Sequence, residues 1–479
     1  MKRGGLTRLA VAVFAGFLAA RPATGTEPWA ERVITRHVDQ ATLSGRLDGD
    51  ALARLRATGA HLFTGRFTAL DGVGRPFATQ AIIPTKRKRQ PETAFSRTSG
   101  MDSNACSSCH NQPVTGGAGD FVTNVFVSEG FESFDFDSTD PQFSNERGTN
   151  HLFGAGLIEL LAREITAELK AIRGAALAEA RTTGAPATRA LAAKGIDYGT
   201  ITAHPDGVLD MAGITGVDAD LTVRPFSQKG VMTSLRQFTV NALNHHHGMQ
   251  PQERFGRRWT GERDHDGDGH DDEISAGDVS ALVAWQAGLP APVRVVPDEA
   301  AWHAAAARGE TTFAAIGCET CHKPFLPLTS LDFADPGPLD MAGTLRAGDV
   351  EKGATYDLAL LEWTKRLPRN AKGEIMVPLF GDLKRHRIAD RQVAVLGNEL
   401  LAQRFVERNV FMTAELWGVG STDPYGHRND LPSLDSVIRA HGGDARAARD
   451  NYLALGETER SALIAFLRTL VIEPASAEP

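Results

Sequence analysis

Cysteine is nearly absent from this chain: four occur in 479 residues. All four fall in two short stretches, Cys106-Ser107-Ser108-Cys109-His110 and Cys318-Glu319-Thr320-Cys321-His322, so no disulfide framework stabilises the fold. Positive charge is not in surplus either. The formal net charge is −8, which argues against a general nucleic-acid role, because phosphate binding needs an excess of Lys and Arg. Past the amino terminus there is no apolar run long enough to cross a bilayer core of ~30 Å as a helix. Tryptophan is scarce as well, with none between Trp29 and Trp259.

The scarce cysteines carry the strongest signal. Each pair reads C-x-x-C-H, the attachment signature of a c-type haem, in which two thiols add to the porphyrin vinyl groups and the adjacent His ligates iron. Two intervening residues let both sulfurs reach the ring edge, and the following His is held beneath the metal. His110 and His322 are therefore the expected proximal ligands, with Cys106, Cys109, Cys318 and Cys321 as covalent anchors. A zinc pair or a thioredoxin-like dithiol would reuse the same cysteines. The His in the fifth place of both motifs favours haem.

Residues 1 to about 25 resemble a secretory signal. Lys2, Arg3 and Arg8 precede the apolar run Leu9 to Ala20, and small residues near Ala23 offer cleavage sites. Export and covalent haem attachment agree, and together they point to a bacterial periplasm. A mixed segment follows over 26–94, where Trp29 to Leu55 suggests one or two short helices. The alternation in His61 to Thr68 suggests a strand and turn. The basic run Lys86 to Arg89 reads as a solvated loop or a docking patch.

Residues 95–288 hold the first motif, an expected strand from Phe121 to Val127, and a long amphipathic helix after Gly156. A second helix starts near Ser234 and runs toward His245-His246-His247-Gly248-Met249. The stretch 264–275 resembles an EF-hand loop, with Asp264, Asp266 and Asp268 at positions 1, 3 and 5, Gly269 at 6 and Asp272 at 9. Position 12 is Ser275 rather than Glu, so a calcium site and a solvated acidic turn both remain open. Leu289 to Pro292 is the best linker, and residues 289–479 hold the second motif and three carboxyl-terminal helices. No further internal repeat is visible. The expected class is mainly α with a little β.

Ala105 to Gly119, Leu152 to Glu159, Gly317 to Pro324, Leu416 to Gly420 and His441 to Gly443 resemble the bacterial di-haem oxidoreductase family, the thiol oxidoreductases. That family is similar in turn to di-haem cytochrome c peroxidases and to the di-haem enzyme that matures a tryptophan-derived quinone. The resemblance implies two cytochrome c-like domains facing each other, one haem for electron entry and one reactive. It also implies His386 as distal ligand of the second haem, with Met412 as the alternative. Those relatives place a Trp between the haems from within the first domain; here Trp259, Trp285 or Trp417 would have to substitute.

For the first haem, Met249 and His247 are the ligands nearest in sequence; otherwise its face is open. In that case Glu159, in the apolar stretch Leu157 to Leu160, is the expected acid–base group for peroxide cleavage. Arg97, Arg147 and Arg236 are candidate partners for haem propionates. Two function classes follow. One is an enzyme that reduces peroxide or oxidises a small organic or protein substrate, fed by a small redox protein or a quinol-linked donor. The other is an electron carrier with both irons six-coordinate.

Overall fold

The computed structural model describes residues 29–74, 103–124, 146–399, 403 and 405–473. The expected leader, the basic run Lys86 to Arg89 and Arg97 lie outside these residues. Ten helices occur among the described residues: α1 (Gly49–Thr64), α2 (Ala155–Thr183), α3 (Leu235–His247), the single turns α4 (Gln252–Phe255) and α5 (Arg257–Thr260), α6 (Ala276–Ala287), α7 (Ala300–Ala315), α8 (Leu434–Arg439), α9 (Arg446–Ala454) and α10 (Glu457–Arg468). Six small sheets of two or three strands join them. The architecture is thus mixed rather than mainly α. The Gly- and Pro-punctuated stretch between the second motif and Leu379 supplies several of these strands, for example Asp332–Asp335 against Ala354–Asp357.

Two helix pairs repeat one packing device. α1 lies on α6, and Gly59 makes the crossing possible: a Cβ there would meet the Ala281 carbonyl oxygen at 2.0 Å and the Trp285 Cβ at 2.8 Å. α7 lies on α10 in the same way, where a Cβ on Gly309 would meet the Ala462 carbonyl oxygen at 2.0 Å and the Phe466 Cβ at 2.8 Å. One turn beyond each glycine stands a Phe. Phe63 packs on Trp285 with centroids 4.2 Å apart, and Phe313 packs on Phe466 at 5.5 Å. Each Phe also reaches the His of its motif, Phe63 to His110 at 6.0 Å and Phe313 to His322 at 6.3 Å. A G-x-x-x-F helix crossing an A-x-x-x-(W/F) helix therefore occurs twice, once behind each C-x-x-C-H motif. This repeat was not expected from the sequence.

The strand expected over His61 to Thr68 is instead the last turn of α1 and the short turn after it. Leu62 and Phe63 are adjacent and both buried, which a half-buried strand does not allow. Other elements fall where their signals put them. Ser234 caps α3 by accepting from the Gln237 amide, Ser275 caps α6, and Ser433 caps α8 in a capping box. The strand Gly119–Asn124 pairs with Glu146–Thr149. The largest core gathers residues from Ile34 to Trp417, on both sides of Pro290, and a second core, Phe313 to Leu470, supports the second motif. Among the described residues no helix is long and apolar enough to cross a membrane.

Candidate functional site

Both motifs open into one cavity of about 820 Å³. Cys106, Cys109 and His110 line it from the first half, and Cys318, Cys321 and His322 from the second. Each C-x-x-C pair folds as a single 3₁₀ turn, Cys106–Ser108 and Cys318–Thr320, which puts both sulfurs on one side. The two His then adopt the same pose. His110 Nδ1 lies 3.3 Å from the Gly117 carbonyl oxygen, and His322 Nδ1 lies 3.2 Å from that of Phe380. A His that donates Nδ1–H to a backbone carbonyl is fixed in the tautomer whose Nε2 can bind a metal. Burial pushes both imidazoles down to about 4, with His246 and His151 adding to the effect at His110 and His441 at His322. They are therefore neutral at physiological pH.

The thiols fit covalent attachment better than zinc. Burial pushes Cys106 and Cys318 up to about 12, so with nothing bound neither is a thiolate. Structural zinc takes four protein donors. The groups of three or more close metal donors among the described residues are Cys321–Asp382–His386 and Asp264–Asp266–Asp268, and neither contains a complete C-x-x-C pair. Haem needs from the protein two thiols at its edge, one neutral imidazole and an apolar enclosure, and each half supplies that set.

The remaining residues singled out from the sequence separate into those at the cavity and those away from it. His247 is at the cavity: its Nε2 is 3.4 Å from Cys106 Sγ and its Nδ1 is 2.5 Å from the Ser103 carbonyl oxygen. Met249 follows α3 into the core, fully buried and away from the cavity lining. His386 lines the cavity on the strand Arg385–Arg387. Its Nε2 is 2.8 Å from Asp382 Oδ2, and its Nδ1 faces Cys321 Sγ at 3.9 Å and Asp444 at 3.7 Å. Burial alone would lower this imidazole, but the hydrogen bonds to Asp382 and Cys321 outweigh it and raise His386 to about 10. Met412, on the paired strand, also lines the cavity.

Glu159 is buried but does not line the cavity. Its carboxylate accepts from Arg163 Nη2 at 2.6 Å and from the Leu235 amide at 2.7 Å, tying α2 to the start of α3. Glu415 has the environment expected of that residue. It lines the cavity, its Oε1 is buried without a hydrogen-bond partner, and burial, reinforced by Asp382, pushes it up to about 7. His441, at the end of α8, also lines the cavity and holds its Nδ1 2.7 Å from the Val437 carbonyl oxygen, the pose of the two motif imidazoles.

Of the three tryptophans, Trp259 is 41% exposed and Trp285 packs behind α1. Trp417 lines the cavity, buried, with its indole against Gly154. Its carbonyl oxygen meets His151 Nε2 at 3.1 Å on the first-motif side. The amide of its neighbour Leu416 donates to the Phe380 carbonyl, which also holds His322. Of the arginines, Arg236 is locked in the core by Asp335 and Glu253. Arg147 lines the cavity, and its Nε and Nη2 are buried with no hydrogen-bond partner among the described residues.

The oxygens of the acidic loop cluster as the spacing predicts: Asp264, Asp266 and Asp268 bring their carboxylates within 4.8 Å of one another. Asp272 instead turns one oxygen to Arg263 at 2.7 Å.

No protein-family model matches the chain, and no curated protein matches it. Among solved structures it is similar to a Kuenenia stuttgartiensis hydrazine synthase, determined under 20 bar of xenon. That match has a TM-score of 0.35 and 14% identity, and it covers 97% of this chain and 100% of that one. It is also similar to a MauG-like protein associated with microbial copper homeostasis, with a TM-score of 0.27 and 14% identity over 56% of this chain and 78% of that one.

Proposed function

We propose that this protein is a periplasmic di-haem c-type cytochrome that reduces a peroxide, using electrons from a small redox protein or a quinol-linked donor. The observation that carries the reading is that two C-x-x-C-H turns, each with its His tethered through Nδ1 to a backbone carbonyl, face one cavity. Covalently attached haem would supply one-electron redox chemistry at iron in each half. Cys106 and Cys109, and Cys318 and Cys321, would anchor the two groups, with His110 and His322 as ligands through Nε2. Arg147, with two buried nitrogens unpaired, fits a propionate. Trp417 fits the space between the groups.

Reduction of a peroxide to two waters consumes two electrons and two protons, so the cavity must hold a group that carries a proton near neutrality. Glu415 does so. Raised to about 7, its carboxyl is still protonated in part at pH 7 and can give a proton to a departing oxygen or take one from an arriving peroxide. Glu159, with both oxygens engaged, is a positioning residue in this reading. The test is intact-mass measurement of the purified protein for two haem additions, followed by single-turnover mixing of the reduced protein with hydrogen peroxide. Oxidation by two electrons per peroxide supports the reading. A bound zinc ion with no haem mass would sink it.

A second reading has a specific observation behind it: the second motif has two more cavity histidines close by, His386 and His441. If one ligates the iron opposite His322, that haem is a six-coordinate carrier. His441 fits better, because its Nδ1 is already satisfied by a carbonyl while His386 gives Nε2 to Asp382. Low-temperature electron paramagnetic resonance separates the readings. A high-spin signal lost on adding peroxide supports the enzyme, and two low-spin signals indifferent to peroxide support the pure carrier.

A further inference from the structure

The acidic loop between α5 and α6 has no part in the proposed haem chemistry, and it contains a group that the protein alone does not satisfy. Asp266 is fully buried and neither of its carboxylate oxygens has a hydrogen-bond partner. Leaving a buried carboxylate without donors is costly, and native chains do so where an ion completes the site. One of these orphaned oxygens lies in a cluster with one oxygen each from Asp264 and Asp268, all within 4.8 Å of one another. Arg263, beside the loop, does not neutralise them: it is drawn to Asp271 and Asp272.

The loop backbone is already wound for an ion. Asp264 Oδ1 accepts the Gly267 amide at 2.7 Å and the Asp268 amide at 3.2 Å, while its Oδ2 accepts the Gly269 amide at 3.0 Å. Gly267 and Gly269 take φ of +74° and +94°, where an L side chain would be strained. Asp268 Oδ1 accepts the His270 amide at 2.8 Å. Asp272, also at positive φ, keeps a second oxygen, Oδ1, buried and without a partner. Position 12 does not contribute. Ser275 caps α6, and the neighbouring Glu273 turns away to accept the Gln250 amide.

We infer that residues 264–272 bind one calcium ion through the carboxylates of Asp264, Asp266 and Asp268. Calcium suits the site because it accepts six to eight oxygens in flexible geometry, so backbone carbonyls and water can fill what three carboxylates leave open. Magnesium demands a stricter octahedron. Without the bidentate Glu at position 12 the affinity is expected near that of extracellular modules, with a Kd of about 10⁻⁴–10⁻³ M. The loop leads directly into the cap of α6, so the ion stabilises the helix that crosses α1. This inference is independent of haem.

The test uses the purified full chain with whatever cofactor it carries, stripped with a chelator and desalted. Calcium at 10 mM should raise its melting temperature by about 1–3 °C, and equimolar magnesium should do less. Asp268→Ala, at a half-buried position, and the isosteric Asp266→Asn should each weaken the calcium response at least tenfold. Their circular dichroism reports whether each has folded. No response of the wild-type chain to calcium, or an equal response in both folded variants, would overturn the assignment.

Discussion

The two halves share a scaffold and differ in what surrounds the motif. In each, a glycine lets two helices touch, a Phe one turn on presses toward the motif His, and that His is fixed by a backbone carbonyl. Around the first motif the added groups are imidazoles and an Arg: His151, His245, His246, His247 and Arg147 line the cavity. Around the second they include carboxylates, with Asp382 on His386, Asp444 nearby and Glu415, whose Oε1 is buried without a partner. A repeated scaffold can fix cofactor and ligand pose twice, while the side chains around it set each site's proton chemistry separately. In the proposed reading the second half is therefore the one that would deliver protons.

The largest effect should come from removing the anchors. Cys318→Ala with Cys321→Ala should leave a protein with one haem addition by intact mass, and Cys106→Ala with Cys109→Ala should leave the other. Loss of both groups in either double variant would show that the halves do not hold cofactor independently. Next comes the contrast between the carboxylates. Glu415→Gln should lower peroxide turnover about 10²–10⁴-fold, the range for a lost acid–base group. It should also flatten the pH profile: wild-type turnover limited by a protonated Glu415 falls as pH rises through about 7. Glu159→Gln should weaken the link between α2 and α3 and leave that profile intact.

The helix crossings come next in size. Gly59→Ala and Gly309→Ala each drive a methyl into a backbone oxygen, and overpacking of this kind costs about 1–3 kcal/mol. The Gly309 variant should be hit harder in a urea titration that follows the second half. Its core is the smaller cluster around Phe313 and Phe466, whereas α1 and α6 belong to a core that also includes α2 and strands from the second half. Equal losses would mean that the two halves unfold as one unit.

What the sequence revealed depended on whether a residue's role is local. The C-x-x-C-H turns, the helix start at Ser234 and the D-x-D-x-D-G spacing are short-range devices, and each is where its pattern put it. The strand expected at His61 to Thr68 failed because two or three alternations are also what a frayed helix end followed by a capped turn displays. Glu159 and Glu415 could not be ranked from sequence. Both sit in apolar surroundings, and only the fold shows that Arg163 and the Leu235 amide satisfy one of them. His441 carries a faint signal, a His at a helix end four residues after Val437. The paired glycines were legible as G-x-x-x-F twice, but such a pattern gains meaning only once its partner helix is known.

The smallest predicted effect separates His386 from the motif imidazoles by pH. His110 and His322 lie below their usual value, so ionising them disfavours the fold on the acid side. His386 has the opposite sign. Its folded value is raised to about 10 from an ordinary 6.5, so the pairing with Asp382 contributes fully below pH 6.5 and is lost as pH rises through 10. Covalent attachment of haem, as proposed, would consume the Cys321 thiol and remove one of the causes, leaving Asp382 as the principal one. For a pair whose imidazole keeps 17% of its exposure the contribution should be about 1 kcal/mol. The urea midpoint of the wild-type protein should fall between pH 7 and 10 relative to that of His386→Asn, with Asp382→Asn behaving like the variant. If instead the variant loses a low-spin signal while its pH dependence matches the wild type, His386 is an iron ligand, and His441 gives up that role.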